Sequence, residues 1–148
     1  MNKHRAIVIM LLATLSECAG AEWIKVGGND SVQVTFYADP ATIRRVENRV
    51  TMWVLVDQKT PEFFGDKPYL SHMEQDEYDC LHEQSRMLYL NAYAGNMARG
   101  DVVYTGANPD HEAHNWFPIA PGTIDETLWI LACLKKKTTP PAALKRNS

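Results

Sequence analysis

The sequence predicts an α+β fold with two layers: an antiparallel β-sheet and one C-terminal α-helix packed on it and tied to it by a disulfide. Three observations predict this. Strand-like segments fill the first two thirds of the chain, and the one clear helical pattern comes last. That pattern opens on a capping sequence, Thr123-Ile124-Asp125-Glu126. Once a leader is removed, two cysteines remain, Cys80 and Cys133, and an even pair in an exported chain reads as a bridge.

In chain order the first element is the leader. Lys3 and Arg5 precede an apolar run from Ala6 to Leu15, shorter than the roughly 20 residues needed to span a bilayer. Ala19-Gly20-Ala21 then supplies the small-x-small pattern of a signal peptidase site. Residues 1–21 are expected to be a signal peptide, cut between Ala21 and Glu22, with no transmembrane segment in the mature form. A second route is open at Leu15-Ser16-Glu17-Cys18, which resembles a lipobox and would make Cys18 an acylated N-terminus. Glu17 stands where that motif takes a small residue, so cleavage after Ala21 is preferred. The domain is then expected to occupy 22–134. Residues 135–148, with five basic residues, no acids and Pro140-Pro141, are expected to be a disordered basic tail.

Within the domain, Trp23–Val26 reads as a short strand and Gly27–Ser31 as a turn. Val32, Val34, Phe36 and Ala38 alternate with Gln33, Thr35 and Tyr37, the pattern of a strand with one buried face. Asp39-Pro40-Ala41-Thr42 predicts a capped helical turn, with Asp39 as the cap and Ile43 packing downward. Asn48 marks another turn. Val50–Val56 is apolar on both faces and reads as a central strand. Lys59–Pro68, with Pro61, Gly65 and Pro68, reads as a loop, and Tyr69–Asp79 as an acidic strand. In Ser85–Tyr93, Arg86, Leu88, Leu90 and Ala92 alternate with Met87, Tyr89, Asn91 and Tyr93. A hairpin loop at Gly95–Gly100 leads to a strand at Asp101–Thr105, then a polar loop at Gly106–Asn115. Pro118 and Pro121 hold the next stretch extended. Ile124, Leu128 and Leu131 then recur at helical spacing, predicting a helix from Ile124 to Cys133.

A Cys80–Cys133 bridge closes a loop of roughly 54 residues, to which chain entropy assigns about 4 kcal/mol. The competing readings are weaker. Cys133 has no neighbour with metal-ligand spacing. A nucleophilic Cys80 would sit among Asp76, Glu77, Asp79 and Glu83, which disfavour a thiolate.

From Glu22 to Leu134 there are eight Lys/Arg and seventeen Asp/Glu, a net charge of −9. An acidic body argues against nucleic acid as a partner, because neutralising phosphate needs a basic footprint. His111-Glu112-Ala113-His114 is one residue short of the zinc-protease pattern and lies among loop residues, so no metal site is expected. The acids of 74–83 are split by strand alternation: Glu74 and Asp76 share one face, while Glu77, Asp79 and Glu83 share the other. They read as a solvated edge strand whose charge blocks aggregation. Of the tryptophans, Trp116, beside Phe117 in a loop-like stretch, is the best placed for an exposed contact. There is no Gly-rich phosphate loop, no Gly-x-Ser-x-Gly and no paired carboxylates, so neither catalysis nor a cofactor is expected.

Beyond these residue-level readings, several segments are familiar together. They include Phe36–Arg45 (FYADPATIRR), Lys67–Cys80 with its Tyr-Asp-Cys ending, Tyr93–Met97 (YAGNM), and Trp116–Cys133 with Pro-Gly-Thr-Ile-Asp-Glu-Thr-Leu-Trp at the helix start. Over Glu22–Cys133 the chain resembles the surface-adhesin protein E family of Gram-negative bacteria. The resemblance implies an antiparallel sheet with a disulfide-held C-terminal helix. It also implies an exported protein of the periplasm or cell surface that binds a protein or envelope polymer and can form a homodimer. It carries no residue-level binding set. The functions expected are therefore a non-enzymatic envelope or surface binding protein or, alternatively, a periplasmic structural or assembly factor acting through dimerisation.

Overall fold

The computed structural model describes residues 22–107 and 115–134. The expected leader with Cys18 and Ala21, the His111–His114 cluster and the basic tail lie outside the described residues. The elements are β1 (Ile24–Asn29), β2 (Val34–Val46), β3 (Arg49–Phe64), β4 (Lys67–Asp79), β5 (Gln84–Tyr93), β6 (Val102–Ala107), β7 (Phe117–Pro118) and α1 (Ile124–Leu134). The six longer strands form an antiparallel meander in sequence order, and β7 pairs with β5. One helix packs on one face, as the pattern of elements predicts.

Register decides which residues meet α1. Ala38 lies opposite Val54, and Val54 opposite Glu74, which lies opposite Leu90, so these side chains share a face. On this inner face Ala38, Val50, Met52, Val54, Val56 and Tyr78 form the core together with Leu128 and Ala132 of α1. Ile124, Leu131 and Ile43 pack at its margin. Gly27 allows a close approach here: a Cβ on it would collide with the Ile124 Cδ1 atom.

The start of α1 is capped largely as its sequence predicts. Thr123 Oγ1 accepts the Glu126 N–H at 3.3 Å. The Glu126 carboxylate reaches back to the Gly122 N–H at 2.7 Å, one residue earlier than in a standard capping box. At the other end the last turn has no basic residue of its own. Arg45 of β2 supplies the charge, donating to the carbonyls of Ala132 at 3.1 Å and Cys133 at 2.9 Å, which lack partners inside the helix. The Cys80–Cys133 disulfide closes beside them, with Cα atoms 5.6 Å apart. Trp129 Nε1 donates to the Asp79 carbonyl at 3.2 Å.

Five expectations are corrected. Asp39–Thr42 is not a helical turn but an irregularity inside β2. The cap chemistry does form, with the Ala41 N–H on Asp39 Oδ1 at 3.0 Å and Thr42 Oγ1 on the Asp39 carbonyl. Pairing of Arg44–Val46 with Arg49–Thr51 then carries the strand onward. Gly27–Asn29 belongs to β1, and the turn falls at 30–33.

Lys59–Pro68 is not a loop. It is the far end of the β3–β4 hairpin, turning at Gly65 with φ of 62°. The pairing of β2 ends at Gln58 and that of β5 at Ser71. Pro61 and Pro68 therefore lie in an arm with no outer neighbour for which a missing N–H would matter. The arm leans over the inner face, where Phe64 stacks on Tyr104 of β6 with ring centroids 3.9 Å apart.

The acidic strand is not an edge either: β4 is flanked by β3 and β5. Finally, the alternation in β5 is broken. Gln75 pairs with Tyr89 but Asp76 with Met87, so Leu88 is an extra residue. This bulge puts Arg86 on the face of Tyr89 and Asn91, opposite Leu90.

Candidate functional site

Because α1 closes the inner face, the outer face is where the sheet can meet another molecule. It is built from the alternate positions of β3, β4 and β5. One row runs Thr51, Glu77, Arg86; the next Trp53, Gln75, Tyr89; the next Leu55, Met73, Asn91, continuing to Thr105 of β6. Two structures border it. At one end the loop of residues 94–100 folds over the sheet: the Met97 N–H donates to Asp57 Oδ1, the Asn96 amide to the Gln58 carbonyl, and the Ala98 N–H to Ser71 Oγ. Leu55 and Ser71 are fully buried at this end.

At the other end lies a charged platform. Arg86 donates from Nε and Nη2 to Glu77 Oε2 at 2.7 and 2.6 Å, and Arg49 Nη1 stands 4.0 Å from the same oxygen. Both guanidiniums lie over the ring of Trp116, at 4.5 Å for Arg86 and 5.1 Å for Arg49. Trp116, expected to make an exposed contact, is therefore a half-buried partner of two arginines. The two borders leave the middle row open. There Trp53 and Tyr89 meet edge to face at 6.4 Å, flanked by Gln75 and Asn91. The Tyr89 hydroxyl is 3.3 Å from Thr105 Oγ1, which bonds Asn91 Oδ1. All four of these middle residues are half-buried. Rigid aromatic rings fixed by their neighbours, with amide groups beside them and arginines at the rim, are the residue types that dominate binding interfaces.

The expected acidic cluster is dispersed. Glu77 serves the platform. Asp79 closes the β4–β5 turn, accepting the Leu81 and His82 amides at 3.0 Å and meeting the His82 ring at 3.0 Å. Burial pushes the Asp79 carboxyl upward, but the His82 side-chain and backbone bonds and the Leu81 bond outweigh it, holding the group below its ordinary value. Glu83 lies exposed in the turn.

Glu74 and Asp76 instead face inward beside the core. Asp76 Oδ2 accepts the Tyr78 hydroxyl at 3.1 Å, and Glu74 Oε2 is 3.8 Å from His72 Nε2. The other ring nitrogen of His72 is buried without a hydrogen bond. Burial lowers the His72 pKa. Among the described residues no group of three His, Cys, Asp or Glu side chains is arranged to hold a metal ion. Sequence reading missed Trp53, Gln75, Tyr89 and Asn91 as a set, because each sits in a strand whose neighbours are unknown until the meander is in place.

The sequence model of the family described as Surface-adhesin protein E matches residues 23–134. The chain belongs to the surface-adhesin protein E family. The match spans the whole described domain, from the strand that begins the sheet to the end of α1. Solved structures of Haemophilus influenzae protein E share the fold. One, from a non-typeable strain, is 15% identical, covering 74% of this chain and 75% of that chain with a TM-score of 0.52. Another, in crystal form II, is 11% identical, covering 67% and 80% with the same TM-score. At such identities the likeness speaks for the fold alone. No curated protein matches the chain. Among the described residues no helix is long and apolar enough to cross a membrane.

Proposed function

We propose that this surface-adhesin E family member is an exported, non-enzymatic binding protein that uses the outer face of its sheet to hold a protein or an envelope polymer. The observation that carries this reading is the open row Trp53, Gln75 and Tyr89, with Asn91 beside it in the next row and the Arg49–Arg86–Trp116 platform at its rim. The leader, the cut between Ala21 and Glu22, and a periplasmic or surface address belong to the same proposal, with acylation at Cys18 as the competing processing route. Host matrix proteins and envelope polymers are the ligand classes to test.

The test is surface plasmon resonance of the mature, oxidised chain against purified matrix proteins and peptidoglycan. In the variant Trp53→Ala/Tyr89→Ala, affinity for whichever of these binds is expected to fall at least about tenfold, the range of interface hot spots. Failure of the wild type to bind any of them, or full affinity in the variant, contradicts the proposal.

A second reading, assembly through a homodimer, is favoured by one feature. β1 and β6 are sheet edges, each with one side unpaired by any described strand. A strictly monomeric species across micromolar concentrations in sedimentation would count against it.

A further inference from the structure

Two arginines and one acid form the platform at the rim of the outer face, and the acid is taken by one of them. Glu77 Oε2 accepts both Arg86 bonds, at 2.7 and 2.6 Å, while Arg49 stands 4.0 Å from the same oxygen, beyond hydrogen-bonding reach. Two other carboxylates of β3 and β4 on this face are engaged as well. Asp79, opposite Arg49 in register, accepts the Leu81 and His82 amides and meets the His82 ring. Asp57 accepts the Met97 N–H and the Asn96 amide. Among the described residues Arg49 therefore has no hydrogen-bond acceptor. Its side chain is 51% exposed, and its guanidinium is seated on the Trp116 ring.

The open row beside it also has unused polar groups. The Gln75 amide has no hydrogen-bond partner among the described residues, and Asn91 uses its carbonyl oxygen, which accepts from Thr105. The ring planes of Trp53 and Tyr89 are 76° apart, so at most one of the two can lie flat along the sheet. Arg49 and Trp53 are four residues apart on one face of β3, about 13 Å, the length of three linked sugars.

We propose that the ligand of the outer face is an acidic polysaccharide with one carboxylate per two or more sugars, held by Arg49 at a carboxylate and by the Trp53–Gln75–Tyr89 row at the sugars beside it. This rests on the reading of the outer face as the binding surface and names the ligand class. A pyranose offers an apolar face to one aromatic ring and hydroxyls to the amides of Gln75 and Asn91. A peptide fits less well, because the backbone groups of β3, β4 and β5 are already paired between the strands and a sheet face gives a peptide backbone nothing to join. Charge density sets the second half of the class. The domain carries −9 between 22 and 134, so it repels a densely charged polyanion. Carboxylates a disaccharide apart allow one to sit on Arg49 while its neighbours are screened over about 8 Å at physiological salt.

Titration calorimetry of the oxidised mature chain tests this with short oligosaccharides of hyaluronan and of unsulfated chondroitin, and with the same sugars after reduction of their carboxylates to alcohols. At least one acidic oligosaccharide should bind, and its reduced form about tenfold more weakly, the loss of one charge-assisted pair. Arg49→Gln should lose the same factor toward the acidic form and no longer distinguish the two. Trp53→Ala should weaken both forms alike. The reduced-sugar comparison uses the wild-type chain, so it decides the matter even where the variant does not fold. Binding of neither oligosaccharide overturns the proposal, as does equal affinity for acidic and reduced forms, or full affinity in Arg49→Gln. Equally tight binding of poly-glutamate overturns it in favour of an acidic peptide. If neither sugar binds while Trp53→Ala/Tyr89→Ala still loses a matrix protein, the ligand class falls and the binding face stands. Full affinity of that double variant for every ligand removes both.

Discussion

Replacing both Cys80 and Cys133 by serine is expected to lower the stability of the domain by about 4 kcal/mol, and its melting temperature by about 15 °C. The two residues are 53 positions apart, so the bridge removes a large loop's worth of freedom from the unfolded chain. In the folded state the bridge also sits where α1 is most firmly held, beside the Arg45 bonds to Ala132 and Cys133 and the Trp129 bond to Asp79. Loss of the bridge therefore both frees the unfolded chain and leaves the helix end on hydrogen bonds alone. Thermal unfolding of the oxidised protein beside the double variant measures the difference. A loss under about 1 kcal/mol would mean that strain or residual unfolded structure cancels the loop effect.

Leu128→Ala should cost about 3 kcal/mol. Leu128 is 2% exposed and is the main helix side chain inserted among Met52, Val54 and Tyr78, so truncating it opens a cavity between the two layers. Relaxation is limited on the sheet side, because β3 is paired along both edges. Ile130→Ala is the control: Ile130 lies on the outer side of the same helix, 44% exposed, and its loss should change stability by no more than about 0.5 kcal/mol. Urea unfolding with unchanged slope and a lowered midpoint for Leu128→Ala alone is the expected pattern. Equal effects at the two positions would mean that α1 does not pack as described.

Local chemistry was readable where one segment decides its own structure. Thr123 and Glu126 mark the helix start and bond much as the pattern requires. Val50–Val56 carries apolar residues on both faces because β3 runs through the middle of the sheet, with α1 on one side and the 94–100 loop near Leu55 on the other. Cysteine parity gave the bridge without any structural knowledge.

What was not readable depends on neighbours. The Asp39 cap is the same whether a helix follows or the chain re-enters a strand, and only pairing with β3 chooses the strand. Pro61, Gly65 and Pro68 look like loop punctuation unless the chain beyond Gln58 and before Ser71 is known to lack outer partners. Glu74 and Asp76 look like solvated edge residues, yet meander order places them in a central strand, half-buried and beside Val54 and Met52 on the face that carries the core. The open face is a register effect too. Trp53, Gln75 and Tyr89 come into line only when three strands pair, and Arg86 joins that side only through the bulge at Leu88.

The central claim is that α1 closes one face of the sheet and the other face makes contact with the ligand. Hydroxyl-radical footprinting of the mature chain, alone and bound to the matrix protein or envelope polymer that retains it, tests this most directly. The account predicts that Trp53, Tyr89 and Trp116 become protected, while Trp129, Ile130 and Leu134 on the helix layer react as before. Protection confined to α1, with Trp53 and Tyr89 unchanged, would contradict it.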